Sequence, residues 1–149
     1  ESDSLNKGKL DLQFSKSSMT EILRFVATNT KYPLMARNSF DTGKVFVLVK
    51  MHKGGIIEEC KAFSDKKEIK APILPKIVIV GYQSSSRQSV ATNKSNSNHP
   101  ALKSECIRAA NMLGDIDIPE WKDKNMEFGL AIEFVIKPGK GLDNPNELR

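Results

Sequence analysis

The histidines, cysteines, paired glutamates and serines are the residues of this chain whose types could support chemistry. Glu58 and Glu59 are neighbours in an alternating run, so their side chains point to opposite faces and cannot act as a carboxylate pair. His52 and His99 have no second His, Cys or carboxylate at a metal-ligand spacing, which favours a structural or surface role for each. The serines cluster in a polar stretch without the strand–turn–helix elbow that activates a nucleophile. We therefore expect no catalytic residue, no metal and no cofactor.

Cys60 and Cys106 raise a separate question about a covalent link. Cys60 lies in a strand-like run and Cys106 on the apolar side of a predicted helix, so the two thiols could meet where the helix packs on the sheet. Buried, inert thiols are the commoner outcome at such positions. An oxidising compartment favours a disulfide instead. The sequence leaves both alternatives open, with Cys60–Cys106 as the candidate bridge.

Length and charge bound the class of protein. The 149 residues correspond to one domain, and a net charge of +5 is spread along the chain without a basic run, so we expect no nucleic-acid partner. No apolar run approaches the ~20 residues needed to cross a bilayer. Because the chain begins at Glu1 rather than Met, we expect that a further segment, such as a signal peptide or a membrane anchor, precedes it.

The first structured region is predicted to be helical. Ser18 and Glu21 have the spacing of a capping box, and apolar residues recur behind them at helical spacing, which predicts an amphipathic helix over residues 18–29. Pro33 prevents its continuation and pushes Tyr32 towards an extended conformation. A single short helical turn is expected at Leu34–Asn38.

Alternating runs predict the sheet. Residues 44–52 alternate with period two, Gly54-Gly55 supplies the positive φ angles of a tight turn, and a return strand follows at Ile56–Phe63. On the return strand, strict alternation places Ile56, Glu58, Cys60 and Ala62 on one face. Residues 126–137 alternate cleanly and predict the last strand.

The segment 64–98 interrupts this order. Residues 76–82 (KIVIVGY) are rich in β-branched side chains and predict a further strand, residues 84–98 predict a loop, and Pro100 fits the first position of a second helix. We expect a small two-layer α+β sandwich, in which an antiparallel sheet of about three strands carries two helices on one face, with the inserted strand and loop added. The domain spans residues 14–137, between a flexible lead-in (1–13) and a tail (138–149).

The first helix is followed by Tyr32-Pro33, a strand led by Gly43, the Gly54-Gly55 turn, a helix after His99-Pro100 and then Pro119-Glu120-Trp121 before the last strand. Residues in this order resemble the C-terminal domain of the TonB family, in the version found in Bacteroidetes TonB-like proteins. The resemblance covers about residues 14–137. It departs at Ser17-Ser18, where the family often has Gly-Gly, at Asp123-Lys124, where it usually has Pro-Gly, and at the insertion 64–98. The residues that carry the family motif are Tyr32, Pro33, Gly43 and, in Pro119-Glu120-Trp121, Trp121.

The resemblance implies a non-enzymatic, periplasmic domain that is tethered to the inner membrane by a segment outside this chain. Such a domain binds the TonB box of an outer-membrane receptor by β-strand addition and couples energy from inner-membrane motor proteins to transport. The alternative is a regulatory or sensor module of a membrane peptidase or signalling protein, without force transduction; a homodimer is a further expectation. The implied partner-binding edge is the last strand: Glu127, Phe128, Gly129, Leu130, Ala131, Ile132, Glu133, Phe134 and Val135.

The insertion has a resemblance of its own. Residues 75–83 (PKIVIVGYQ) are similar to the segment EVVVVGYG near the N-terminus of Bacteroidetes outer-membrane receptors, where the TonB box lies. This likeness leads to the hypothesis that residues 76–82 act as a built-in strand ligand, paired with the domain's own sheet or with a neighbour's. The alternative for residues 76–82 is an ordinary hydrophobic strand. For the last strand, the alternative to an open edge is one covered by this protein's own insertion or by a neighbouring copy.

Overall fold

The computed structural model describes residues 14–82 and 99–138. The predictions for residues 1–13, for the loop 84–98 and for the tail after Pro138 lie outside these ranges. No helix within them is long and apolar enough to cross a membrane. The regular elements are α1 (Lys16–Asn29), α2 (Leu34–Asn38), β1 (Gly43–His52), β2 (Ile56–Phe63), β3 (Ile77–Tyr82), α3 (Pro100–Asn111) and β4 (Met126–Lys137), with 3-10 turns at Lys66–Glu68, Met112–Asp115 and Pro119–Trp121.

Helix α1 begins two residues earlier than the sequence predicted. Its N-cap is Ser15, whose side chain accepts a hydrogen bond from the Ser18 amide. The capping box predicted at Ser18 is therefore wrong. The Ser18 hydroxyl instead donates to Glu120 Oε1 at 2.6 Å, which ties the start of α1 to the 3-10 turn ahead of β4. The short helix at Leu34–Asn38 and the Pro100 start of α3 are confirmed.

The four strands form one mixed sheet in the order β2-β1-β4-β3. The α+β class is confirmed, but the sheet has four strands rather than about three. Strand β3 runs parallel to β4, whereas both other pairings are antiparallel. The fourth strand comes from the inserted segment. Its strand β3 pairs with β4 on the side away from β1 and so becomes part of the sheet. The short α2 adds a third helix to the two expected.

A β-bulge interrupts the β1–β2 hairpin. Lys50 pairs with Glu59, but Met51 pairs with Ile57, so Glu58 has no partner in the register. The extra residue shifts the alternation. Ile57, not Ile56, therefore packs against the core with Cys60 and Ala62, and Ile56 is exposed. The predicted face for Ile56 is wrong for this reason.

One hydrophobic core joins the helices to one face of the sheet. It contains Ile22 and Val26 of α1, Leu102 and Cys106 of α3, and the alternating inward residues of β1 and β4. The inward residues of these two strands are buried because both have a strand on each side and helices above. They are Val45, Val47, Val49, Met51, Met126, Phe128, Leu130, Ile132 and Phe134.

Candidate site for strand recognition

The last strand, predicted as a free binding edge, is a central strand. β4 pairs with β1 from Gly43↔Phe134 to Met51↔Met126, and with β3 on its other side from Ile77↔Ile132 to Tyr82↔Lys137. The expectation of an open edge at Glu127–Val135 is therefore wrong at Gly129 and from Ile132 onward, where the inserted segment pairs with β4. Pairing of the insertion with the domain's own sheet is confirmed. We call the side of β4 that faces away from β1, from Ile132 to Lys137, the strand slot.

The approach to the strand slot is fixed at Gly129. The Gly129 amide donates to the Pro72 carbonyl and the Leu74 amide donates to the Gly129 carbonyl, each at 2.8 Å. A Cβ on residue 129 would lie 2.9 Å from Ile73 Cγ1 and 3.2 Å from Ile69 Cγ2. Ile73 forms an isolated parallel bridge with Gly129, so the chain between β2 and β3 already lies alongside β4 at this residue before it pairs in register from Ile132. Gly129 leaves the space that this close approach needs.

The residues predicted for partner binding alternate between two faces of β4. Phe128, Leu130, Ile132 and Phe134 are buried under the helices and cannot contact a partner directly. The other five lie on the face of the sheet away from the helices, which we call the open face: Glu127, Gly129, Ala131, Glu133 and Val135. Gly129 and Ala131 of this set are also buried. In both sets, a neighbouring strand can pair with the backbone N–H and C=O groups of β4. From residue 132 onward β3 already pairs with them.

Charged side chains mark the entrance of the slot. Lys76 Nζ lies 2.7 Å from Glu133 Oε1, one residue before β3 begins. The hydrogen bond from Lys76, opposed by desolvation and aided by the charges of Lys76 and Lys44, lowers the pKa of Glu133. The contact therefore favours the ionised form of Glu133 and places an ion pair beside the start of β3.

Tyr32 packs against the helix-facing side of the slot, near its far end. Its ring packs edge-on against Phe134 with centroids 5.2 Å apart, and its hydroxyl donates to the Asp41 carbonyl. Burial, together with the negative charge of Asp41, raises the pKa of Tyr32, so the phenol stays a donor. The face of the ring lies over Gly81 of β3, where an added Cβ would be 2.7 Å from Tyr32 Cδ2.

Asp41, which accepts the Tyr32 hydrogen bond, is itself held by His99. His99 Nδ1 lies 2.6 Å from Asp41 Oδ1, and both side chains are largely buried. His99 itself has a left-handed backbone, with φ of 46°, immediately before α3. Its ring fills the space beside Gly43, where a Cβ would be 2.8 Å from Nε2. Tyr32 and Gly43 therefore belong to one contact network, which we call the Tyr32 cluster: Tyr32, Asp41, Gly43, His99 and Phe134.

The remaining motif residues are structural and lie elsewhere. Pro33 is the N-cap of α2. Trp121 is buried, stacks on Phe128 at 6.2 Å, and its carbonyl accepts a hydrogen bond from the Gly54 amide. The Trp121 ring also lies against Gly55, so it pins the β1–β2 turn to the start of β4.

The chemistry expected from other residues is limited. Cys60 and Cys106 are both free thiols, so the structure does not contain the candidate disulfide. Within residues 14–82 and 99–138, no three His, Cys, Asp or Glu side chains are grouped so that they could hold a metal ion.

One feature of the sequence could have indicated the Tyr32 cluster. A glycine inside the β-branched run 77–82 indicates a close approach by another group, but it does not say that the group is Tyr32. The Asp41–His99 contact joins residues 58 positions apart and left no spacing signal. No family model, no curated protein and no solved structure matches this chain, so the TonB resemblance stays a prediction.

Proposed function

We propose that this chain is a TonB-like protein-interaction domain that binds an extended segment of an outer-membrane receptor as a strand in the strand slot. In this proposal the domain is not an enzyme. It works in the periplasm, tethered to the inner membrane by a segment outside the chain, and transmits energy from a motor complex to the receptor. Its partners are the receptor's TonB box and the motor proteins.

The observation that supports the proposal best is the parallel strand in the slot. Six residues of the chain's own insertion, Ile77–Tyr82, pair in continuous register with Ile132–Lys137. These are the residues whose sequence resembles the receptor segment. Backbone hydrogen bonds supply most of the affinity in strand addition, so a slot that accepts one such strand is suited to accept another of similar pattern.

The occupied slot also favours the alternative, a regulatory or sensor module. A receptor segment has to displace β3, which is tethered and therefore competes at an effective concentration of roughly millimolar. Binding then depends on a conformational exchange, which suits a switch as well as a coupler. The coupler and the sensor module would bind the receptor segment in the same slot. They differ in whether the rest of the protein transmits force to the partner or only responds to binding.

A disulfide lock across the slot tests the proposal. Val80 and Val135 are register partners and both are half-buried on the open face of the sheet. Val80→Cys with Val135→Cys, in a Cys60→Ala background, joins β3 to β4 when oxidised. We expect a peptide of residues 75–83, extended by terminal lysines, to shift the amide NMR signals of residues 132–137 in the reduced protein.

The oxidised form of the same protein is the matched control. We expect it to bind the peptide at least about tenfold more weakly, since β3 can no longer leave. Equal binding in both forms would place the peptide outside the slot, and no binding by the reduced form would refute strand addition at this site.

A further inference from the structure

A strand in the slot has three residues that face the helix layer. In β3 two of these residues are isoleucines and the third is a glycine. Ile77 and Ile79 are only 6% and 8% exposed, and Gly81 is also buried. The alternate residues face outward, where Val78 and Tyr82 remain 48% and 49% exposed. Selection by the slot must therefore act on the three inward positions.

Gly81 is required for space and not for backbone conformation. Its φ lies outside the left-handed range, so the backbone itself would accept any residue. The obstacle is the Tyr32 ring: an added Cβ would lie 2.7 Å from Cδ2, 3.0 Å from Cγ and 3.1 Å from Cε2. Real Cβ atoms do not come that close to ring carbons, so either the ring or the strand would have to move.

The Tyr32 ring is restrained on several sides. Its hydroxyl is held by the Asp41 carbonyl, its edge by Phe134, and Asp41 in turn by His99 at 2.6 Å. Rotating the ring away from residue 81 would break the hydroxyl contact and leave the Asp41 carbonyl without this donor. These contacts hold the Tyr32 ring in place against residue 81 on the helix-facing side of the slot.

We infer that the strand slot selects partner segments of the pattern aliphatic-x-aliphatic-x-Gly, and that Tyr32 is the residue that excludes a side chain at the fifth position. The inference rests on the proposed function, because it describes the strand that replaces β3. The partner class is an extended peptide, parallel to β4, with branched aliphatic residues at the first and third positions. Outward positions accept varied residues.

A two-by-two comparison tests the role of Tyr32. The peptide of residues 75–83, extended by terminal lysines, is compared with the same peptide carrying Ala in place of the residue equivalent to Gly81. Both are titrated into full-length Gly81→Ala and into Gly81→Ala with Tyr32→Ala. Within one protein, competition by β3 weakens the binding of both peptides by the same factor. The ratio of their two Kd values therefore depends only on the residue at the fifth position of the peptide.

We expect the Gly peptide to bind about tenfold or more tightly where Tyr32 is present, as overpacking costs typically imply. Without Tyr32 the two peptides should agree within about twofold. A third peptide, with Ala at the exposed position of Val78, controls for general loss of strand preference and should bind within about threefold of the first.

The outcomes separate the inference from the proposed function. Equal Kd values for the Gly and Ala peptides in the Tyr32-containing protein overturn the inference and leave strand addition intact. A Gly preference that survives Tyr32→Ala overturns the role of Tyr32. Binding of neither peptide to any protein overturns both. If Gly81→Ala fails to fold, the same ratio is measured in the wild-type protein and in Tyr32→Ala.

Discussion

At the scale of single residues, burial determines what the two thiols can do. Cys60 is half-buried on β2, and desolvation, followed by the negative charge of Glu59, raises its pKa to about 11. Cys106 is buried on α3, and desolvation, followed by the charge of Glu105, raises its pKa further. Since the thiolate is the nucleophile, both cysteines should be inert at neutral pH.

We predict that neither thiol of the folded protein reacts readily with a disulfide reagent at pH 8. With a pKa of about 11, the thiolate fraction of Cys60 at pH 8 is roughly 0.1%. Its rate should rise about tenfold per pH unit between pH 8 and 10. A thiol titration at several pH values, with and without guanidinium, measures this.

Cys60→Ala is the matched control, because it leaves only the more deeply buried Cys106 and should abolish the slow reaction. Two reactive thiols are expected in the unfolded, unreduced protein. Finding none there would establish a disulfide, and fast reaction in the folded state would show that Cys60 is not shielded.

At the scale of elements, periodicity predicted the strands but not their neighbours. The alternation of residues 126–137 and the β-branched run 77–82 gave β4 and β3 within one residue of their observed bounds. Their pairing depends on the path of residues 64–76, which has no repeating pattern. The bulge at Glu58 escaped prediction for a similar reason, because it is set by the partner strand β1. The local sequence pattern was therefore sufficient to predict the strands. The strand slot depends on contacts between residues far apart in the sequence, which the pattern does not show.

Gly129 is the point where that path is fastened, and we predict that Gly129→Ala destabilises the fold. Within a strand the change would ordinarily stabilise by roughly 0.5–1 kcal/mol. Here the new methyl group meets Ile73 Cγ1 at 2.9 Å, and overpacking of this kind costs about 1–3 kcal/mol. Steric strain should therefore win. Urea unfolding measures the change in the free energy of unfolding.

A double-mutant cycle identifies the cause. Ile73→Ala removes the clashing atom, so the pair Gly129→Ala with Ile73→Ala should show a favourable coupling of about 1 kcal/mol. The control is Ile56→Ala, an exposed residue of β2, whose effect should add to that of Gly129→Ala. Additivity for both pairs would contradict the steric account.

At the scale of the whole molecule, the sheet order divides the fold into a central pair and two edges. β1 and β4 each have a strand on both sides, whereas β2 and β3 have one neighbour each among the described residues. β2 is joined to β1 through a tight turn that Trp121 pins. β3 reaches the sheet through a long crossover. Regions with fewer packed neighbours can open below the global free energy of unfolding, and in the described part of the chain β3 has one neighbouring strand and no tight turn that joins it to that strand.

We predict that β3 leaves the sheet without global unfolding, as strand exchange in the slot requires. In native-state hydrogen exchange, amides of residues 77–82 that bond to β4 should open at a lower free energy than those of Val47 and Val49 in β1, and with little dependence on denaturant. The oxidised Val80→Cys, Val135→Cys protein is the control, in which the lock should raise β3 to the stability of β1. If the unlocked β3 already exchanges only with the global transition, its strand is a permanent part of the core. The slot would then be closed to any partner, and recognition by displacement would have to be abandoned.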